Sequence, residues 1–208
     1  MKKNNLIHFV QSLVLLPAIT MSFSLPGINN TGTSQNVLVS KMNIETNRTL
    51  ALNKALALEV EVKKAKAEAI DAYFAERKMP LAGTGLTMVE EAEKNGLDWR
   101  LLAAIAVRES TGGRNACKRV ANNPFGWGSC KIGFESNEKA IETVAKNLGG
   151  NNPNTAYHYD DKETKEILQA YNPPSIVPRY AEQVMAIMDV IGEPEMTVTP
   201  LLTYNTST

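Results

Sequence analysis

The chain has 208 residues, 43% of them hydrophobic, and equal numbers of basic and acidic side chains, 22 of each. That length holds one ordinary domain plus extensions, with enough apolar content for a core. A formal net charge of zero speaks against an electrostatic nucleic-acid binder, which would carry a basic excess.

Lys2 and Lys3 precede an apolar run from about Leu6 to Phe23. A basic start followed by a short hydrophobic region reads as a secretory signal over residues 1–24. Ser22-Phe23-Ser24 offers a small-x-small cleavage site, while an uncleaved N-terminal membrane anchor is the alternative, since roughly 18 residues can just span a bilayer. Either way the remainder is exported, to the periplasm, the cell envelope or the medium. Without Lys2 and Lys3, 20 basic residues face 22 acidic ones.

Residues from about Leu25 to Asn47 are rich in Asn, Ser, Thr and Gly and read as a linker. From Arg48 to Lys64, Leu56, Leu58, Val60 and Val62 alternate as in a strand, but propensity favours a helix. Residues 25–64 are thus expected to be a linker and a helical stalk. In Ala65 to Arg77, Ala69, Ile70, Tyr73 and Phe74 share a face at helical spacing, and Pro80 follows. A helix from Thr87 to Lys94 is stopped by Asn95-Gly96. Asp98 is placed to cap the next one, Trp99 to Glu109, which is apolar nearly all round and is expected at the centre of the domain.

Asn122 to Phe134 is dense in Gly and aromatic residues and reads as a loop or short β-hairpin. Ser136 can cap a helix to about Leu148, and Asp160-x-x-Glu163 has the form of a capping box for a helix to about Tyr171. Asn172-Pro173-Pro174 breaks that helix. Tyr180 to Ile191 is the last one, closed by Gly192, and residues 193–208 are expected to be a loosely ordered tail.

Cys117 and Cys130 are close in sequence, and in an exported chain that favours a disulfide. A loop of this length is stabilised by about 3 kcal/mol in the chain-entropy model. With His158 they match no common ligand spacing, so neither a metal nor an organic cofactor is expected.

Glu109 carries the chemistry. It ends an apolar helix just before Ser110-Thr111-Gly112-Gly113. Apolar neighbours and the negative end of the helix dipole both favour a protonated carboxyl group there. Such an acid is what cleavage of a glycosidic bond requires. Two other segments could converge on it: Asn122-Asn123-Pro124-Phe125-Gly126-Trp127 and Ala170-Tyr171-Asn172. Their aromatic faces suit sugar rings, and their amides suit hydroxyl and acetamido groups.

On these segments the chain resembles the lysozyme-like superfamily. Glu109-Ser110 after an apolar helix is similar to the catalytic motif of soluble lytic transglycosylases, as are Ala170-Tyr171-Asn172 and the later Tyr180-Ala181-x-x-Val184. The middle segment departs from the transglycosylase Gly-Leu-Met-Gln pattern. Its Asn-Pro-Phe-Gly-Trp-Gly is closer to the Asn-x-Phe-Gly of bacterial endo-β-N-acetylglucosaminidases. Pro80-Leu81-Ala82-Gly83, Gly96-Leu97-Asp98 and Phe134-x-Ser136 fit that branch as well.

The resemblance implies a mainly α, lysozyme-like domain over residues 65–192 with a short β-hairpin or loop lobe and a peptidoglycan-binding cleft. Carried over position by position, Glu109 is the general acid, Tyr171 lies near the scissile sugar, and Asn123, Phe125 and Gly126 line the cleft. Ser110, Trp127 and Asn172 complete the expected substrate contacts. The expected partner is the peptidoglycan glycan strand, bound by a monomer; nucleic acid is not expected.

Each residue also has a plainer reading. Glu109 could be a solvated helix end and Ser110 only a helix terminator. Phe125, Trp127 and Tyr171 could be core, and Asn122 or Asn123 turn formers. A second carboxylate would decide the mechanism, and Glu135, Glu138, Asp160 and Asp161 are the candidates. Without one, the substrate's 2-acetamido group or its 6-hydroxyl could attack the anomeric carbon, the second route being transglycosylation to an anhydro-sugar. A non-catalytic glycan-binding module and a helical interaction protein, with residues 48–77 as partner surface, are the rivals. The last would set Glu109 against a cation or in water.

Overall fold

A computed structural model describes residues 32–194, with side chains from Lys41 onward. The signal segment and most of the tail lie outside these residues. The chain divides into two compact units, residues 1–49 and 50–208. The described residues are mainly helical, with seven α-helices, one 3-10 turn and no strand. Helix α1, Gly32–Glu76, begins in the first unit and ends in the second. Residues 32–47, expected as linker, are therefore helical. Thr46 and Thr49 turn their hydroxyls back to the Met42 and Glu45 carbonyls, so these polar side chains satisfy themselves on the helix. No described helix is long and apolar enough to cross a membrane.

In the second unit the sequence periodicities become packing. The last turns of α1 bury Ala67, Ile70 and Phe74. Helix α2, Gly85–Lys94, buries Met88, Val89 and Ala92. The loop between them is fixed by Asp71, which accepts hydrogen bonds from the Gly83 and Gly85 backbone N–H groups at 2.8 and 2.9 Å. Helix α3, Leu101–Ser110, is the central helix: every side chain from Leu101 to Ala106 is fully buried. Burying each Leu or Ile there contributes roughly 1.5–3 kcal/mol. Asp98 is not the N-cap of α3: the helix starts two residues later than expected, after Arg100, which has no side-chain cap, and Asp98 accepts from Arg100 N–H at 2.9 Å in the preceding turn.

Helices α4, Asn137–Leu148, α5, Ala156–Tyr159, α6, Thr164–Tyr171, and α7, Tyr180–Ile191, complete the unit. Helix α3 packs on α7, α2 and α4, and α6 packs on α5 and α7. Ser136 caps α4 as expected, through Lys139 N–H. The capping box of α6 is shifted: Glu163 and Glu166 form it, not Asp160 and Glu163. Asp160 instead closes the short helix α5 as its C-cap, so the start of α6 falls three residues later.

The hairpin alternative for residues 122–134 is not realised. The segment is a loop with a 3-10 turn at Trp127–Cys130. Its glycines and the left-handed Ser129 and Cys130 (φ 55° and 58°) break the extended run that strand pairing needs. Cys117 and Cys130 are joined by a disulfide that closes this loop.

Candidate functional site

Glu109 is the penultimate residue of α3. The helix stops immediately after it because Thr111 adopts a left-handed conformation, and the Thr111 and Gly112 N–H groups reach back to Val107 and Ala106 carbonyls. Ser110 secures the same end. Its hydroxyl donates to the Ala106 carbonyl at 3.1 Å and accepts from Gly113 N–H at 2.9 Å. Ser110 is 3% exposed, so its role is to terminate the helix, and the expected substrate contact is not what its side chain makes. Gly112 has φ +60°, and a Cβ there would come within 2.7 Å of Met79. Its lack of a side chain lets the α1–α2 loop press against the helix end, where Leu81 N–H also bonds the Gly112 carbonyl.

Around Glu109 the tertiary structure gathers parts of three other segments. Tyr180, first residue of α7, donates its hydroxyl to Glu109 Oε1 at 2.6 Å. Gly126 lies across from the other oxygen: a Cβ on it would stand 3.2 Å from Glu109 Oε2. Tyr171, last residue of α6, is stacked on Tyr180 with ring centroids 5.9 Å apart. Trp127 lies against the Tyr171 ring, also at 5.9 Å. The Tyr171 hydroxyl donates to the Phe125 carbonyl, tying α6 to the loop.

Two of the expected cleft-lining side chains turn inward instead. Phe125 is fully buried and belongs to the core. Asn123 is also fully buried. Its amide donates to the Trp127 and Ile132 carbonyls, and its oxygen accepts from Trp127 N–H. A side-chain amide with donors and an acceptor can hold a non-repetitive loop from the inside, which no apolar residue could do. Asn172 is the C-cap of α6, half-buried, with its N–H on the Leu168 carbonyl. Of the residues expected at the site, Glu109, Gly126, Trp127 and Tyr171 come together, while Ser110, Asn123, Phe125 and Asn172 support them.

Tyr180 enters the sequence reading as part of the Tyr180-Ala181-x-x-Val184 segment of the resemblance and as the start of an amphipathic helix, but with no role at the site; that segment was the available signal. Burial, then the hydrogen bond to Glu109 and that group's charge, hold the Tyr180 phenol far above its ordinary range. Burial, and after it the Glu109 charge, push Tyr171 up as well. Both phenols therefore remain O–H donors at neutral pH. Arg108 lies over the Tyr180 ring at 5.6 Å and donates to Gln183 at 2.8 Å, binding the end of α3 to the first turn of α7.

Glu109 meets a phenol and not a cation: none of the ion pairs among the described residues involves it. The candidate second carboxylates lie apart from this cluster's hydrogen bonds. Glu135, Asp160 and Asp161 are exposed, and Glu138 is held below its usual range by the Ser136 hydroxyl at the start of α4. Among the described residues no group of acidic, His or Cys side chains is arranged to hold a metal ion. A separate groove of about 620 Å³ runs between the end of α1 and the end of α7, lined by Ala69, Tyr73 and Val190 among others, and contains no residue of the Glu109 cluster.

No protein-family model, no curated protein and no solved structure matches this chain.

Proposed function

We propose that this chain is an exported, lysozyme-like peptidoglycan hydrolase that cleaves the β-1,4 bond between N-acetylated amino sugars. The observation that carries the reading is the Tyr180–Glu109 hydrogen bond at the end of a buried helix, beside Gly126 and the Tyr171–Trp127 rings. A half-buried carboxyl group fixed by a phenol, next to an aromatic face, has the parts needed to protonate a leaving glycosidic oxygen while a sugar ring stacks alongside. Glu109 is the acid. Tyr180 aims it, and Trp127, with Tyr171 behind it, supplies the face for the sugar.

The disulfide is in keeping with export to an oxidising compartment. The cluster holds one carboxylate, which favours a route without a protein nucleophile. After Glu109 protonates the leaving oxygen, the substrate's own 2-acetamido oxygen closes on the anomeric carbon. The Glu109 carboxylate then takes a proton from the attacking water. Attack by the 6-hydroxyl would instead give an anhydro-sugar end. No metal or organic cofactor enters either route.

The test is digestion of purified peptidoglycan glycan with mass analysis of the products. Fragments with an N-acetylated amino sugar at a new reducing end, absent with Glu109→Gln, are expected. Anhydro ends would move the assignment to transglycosylation. Binding without cleavage, unchanged in Glu109→Gln, would leave a non-catalytic glycan-binding module.

A further inference from the structure

The disulfide does more than close a loop, because the residues it encloses include the side of the candidate site opposite α7. Between Cys117 and Cys130 lie Asn123, Phe125, Gly126 and Trp127. Gly126 is against Glu109 Oε2, Trp127 is against Tyr171, and the Phe125 carbonyl accepts from Tyr171. The loop thus touches both the end of α3 and the end of α6.

That loop holds an unfavourable backbone. Gly126, Gly128, Ser129 and Cys130 all have positive φ, between 55° and 65°. For Ser129 and Cys130 the left-handed region is disfavoured by the Cβ, and such conformations persist only where the surroundings fix them. They are held by the Asn123 amide, which bonds Trp127 on one side of them and the Ile132 carbonyl on the other, by the Lys131 N–H on the Gly128 carbonyl at 3.1 Å, by the Cys130 N–H on the Gly126 carbonyl at 3.3 Å, by the Cys117 N–H on the Asn123 carbonyl at 3.3 Å, and by the covalent bridge. Cys130 itself makes one of those hydrogen bonds, at 3.3 Å, and the bridge. Residues 128–133 are exposed, so the Cys130 end of the bridge faces solvent.

We propose that Cys117 and Cys130 are positioning residues for the Glu109 site, so that its activity is set by the redox state of their disulfide. The reaction is thiol–disulfide exchange with a dithiol. One thiolate of the reductant attacks Cys130 Sγ, the S–S bond breaks, and Cys117 leaves as a thiolate that takes a proton. The second thiol of the reductant then displaces Cys130, which leaves as thiolate and is protonated, while the reductant becomes a disulfide. With the bridge gone, residues 128–130 relax from the left-handed region, and Trp127 and Gly126 lose their register against Tyr171 and Glu109. The core does not depend on the bridge: of the segments that meet at the site, α7 packs on both α3 and α6 without it.

The inference rests on the glycan-cleaving reading, and the experiment separates the two. The full chain carries 5-fluorotryptophan at its two tryptophans, Trp99 in the core and Trp127 in the loop, assigned with Trp127→Phe. It is studied oxidised, after reduction with dithiothreitol, after reoxidation, and as Cys117→Ser/Cys130→Ser. On reduction the Trp127 fluorine resonance is expected to shift or broaden, with Trp99 and helicity unchanged. The kcat on peptidoglycan should fall about 10- to 100-fold, the scale of a misplacement of about 1 Å at a catalytic group. Reoxidation should restore both signals, and the double variant should match the reduced protein. A Trp127 resonance and kcat unmoved by reduction overturn the proposal. So does loss of helicity together with both resonances, which would make the bridge a general staple. An oxidised protein that cuts no glycan, yet whose Trp127 alone moves on reduction, supports the loop-setting role and rejects the hydrolase reading instead.

Discussion

Tyr180 donates its phenol hydroxyl to Oε1 of Glu109 across 71 positions of sequence, at 2.6 Å. The bond joins the last turn of α3 to the first turn of α7, the two helices that pack face to face in the core. The carboxyl group is therefore held by packed helices and not by a loop, the arrangement that the proposed acid role would require.

Glu109→Gln should lower glycan cleavage by about 10²–10⁴-fold, the range for loss of a general acid. The amide is nearly isosteric and can still accept from Tyr180, so the thermal midpoint should barely move. Turbidity clearing of cell walls and a melting curve on the same preparation check both halves. Undiminished clearing would end the catalytic assignment.

Tyr180→Phe keeps the buried ring and removes one hydrogen bond to a group that can carry charge. Stability should fall by about 1.5–3 kcal/mol in urea titration. On the proposed reading Tyr180 aims the acid without touching substrate, so kcat should drop while KM stays near the wild-type value. A change confined to KM would place Tyr180 in substrate binding.

Alkaline pH should act through the same pair. Burial, and then the bond to Glu109, raise the Tyr180 phenol above its ordinary value of about 10. A folded-state pKa raised above the unfolded one gives stability that is fully present below the unfolded value and is lost as pH rises through the folded one. The gap in midpoint between wild type and Tyr180→Phe should therefore hold up to about pH 10 and shrink above it. A gap that shrinks between pH 6 and 8 would point to another group.

Gly126→Ala places a methyl group 3.2 Å from Glu109 Oε2 at a φ of +65°. The backbone cost should be about 1–2 kcal/mol, and the carboxylate must move by a few tenths of an ångström. Activity should fall more than stability predicts, because the displaced atom is the acid itself. Comparing kcat at a temperature where both proteins are fully folded isolates that effect.

Asn123→Ala would strip Trp127 N–H of its acceptor and two carbonyls of their donor inside the loop. A buried group left unpaired costs about 1–3 kcal/mol. The loss should appear as faster hydrogen exchange at Trp127 and its neighbours, with amides of α3 still protected. Uniform loss of protection would mean that Asn123 supports the whole fold.

The helices from Ala65 onward were legible because local rules decide them. Apolar spacing of 3.6 and the stops at Asn95-Gly96 and Gly192 fix elements with no distant partner, and α2, α3, α4 and α7 fall where the sequence puts them, within two residues, while the short α5 was not foreseen and α6 starts later than its expected cap. Glu109 stood out in the sequence for a related reason: an acid ending an apolar helix is at odds with its apolar neighbours. The ambiguous stretch 48–64 is helical as propensity favours, whereas in residues 32–47 composition misled: they are helical despite their Asn, Ser and Thr.

Direction and partnership were decided only in three dimensions. Phe125, Gly126 and Trp127 are consecutive, yet the first is buried in the core, the second faces the carboxylate and the third lies on Tyr171. In an irregular loop no period assigns faces, so the left-handed backbone and the Asn123 amide assign them. Tyr180 needed more still, because a tyrosine at a helix start is unremarkable until α7 lies on α3. The sequence by itself determined most helices after Ala65 and singled out one carboxyl group at the end of an apolar helix. The packing of those helices, a sum of many weak and non-local contacts, decided which hydroxyl meets that carboxyl.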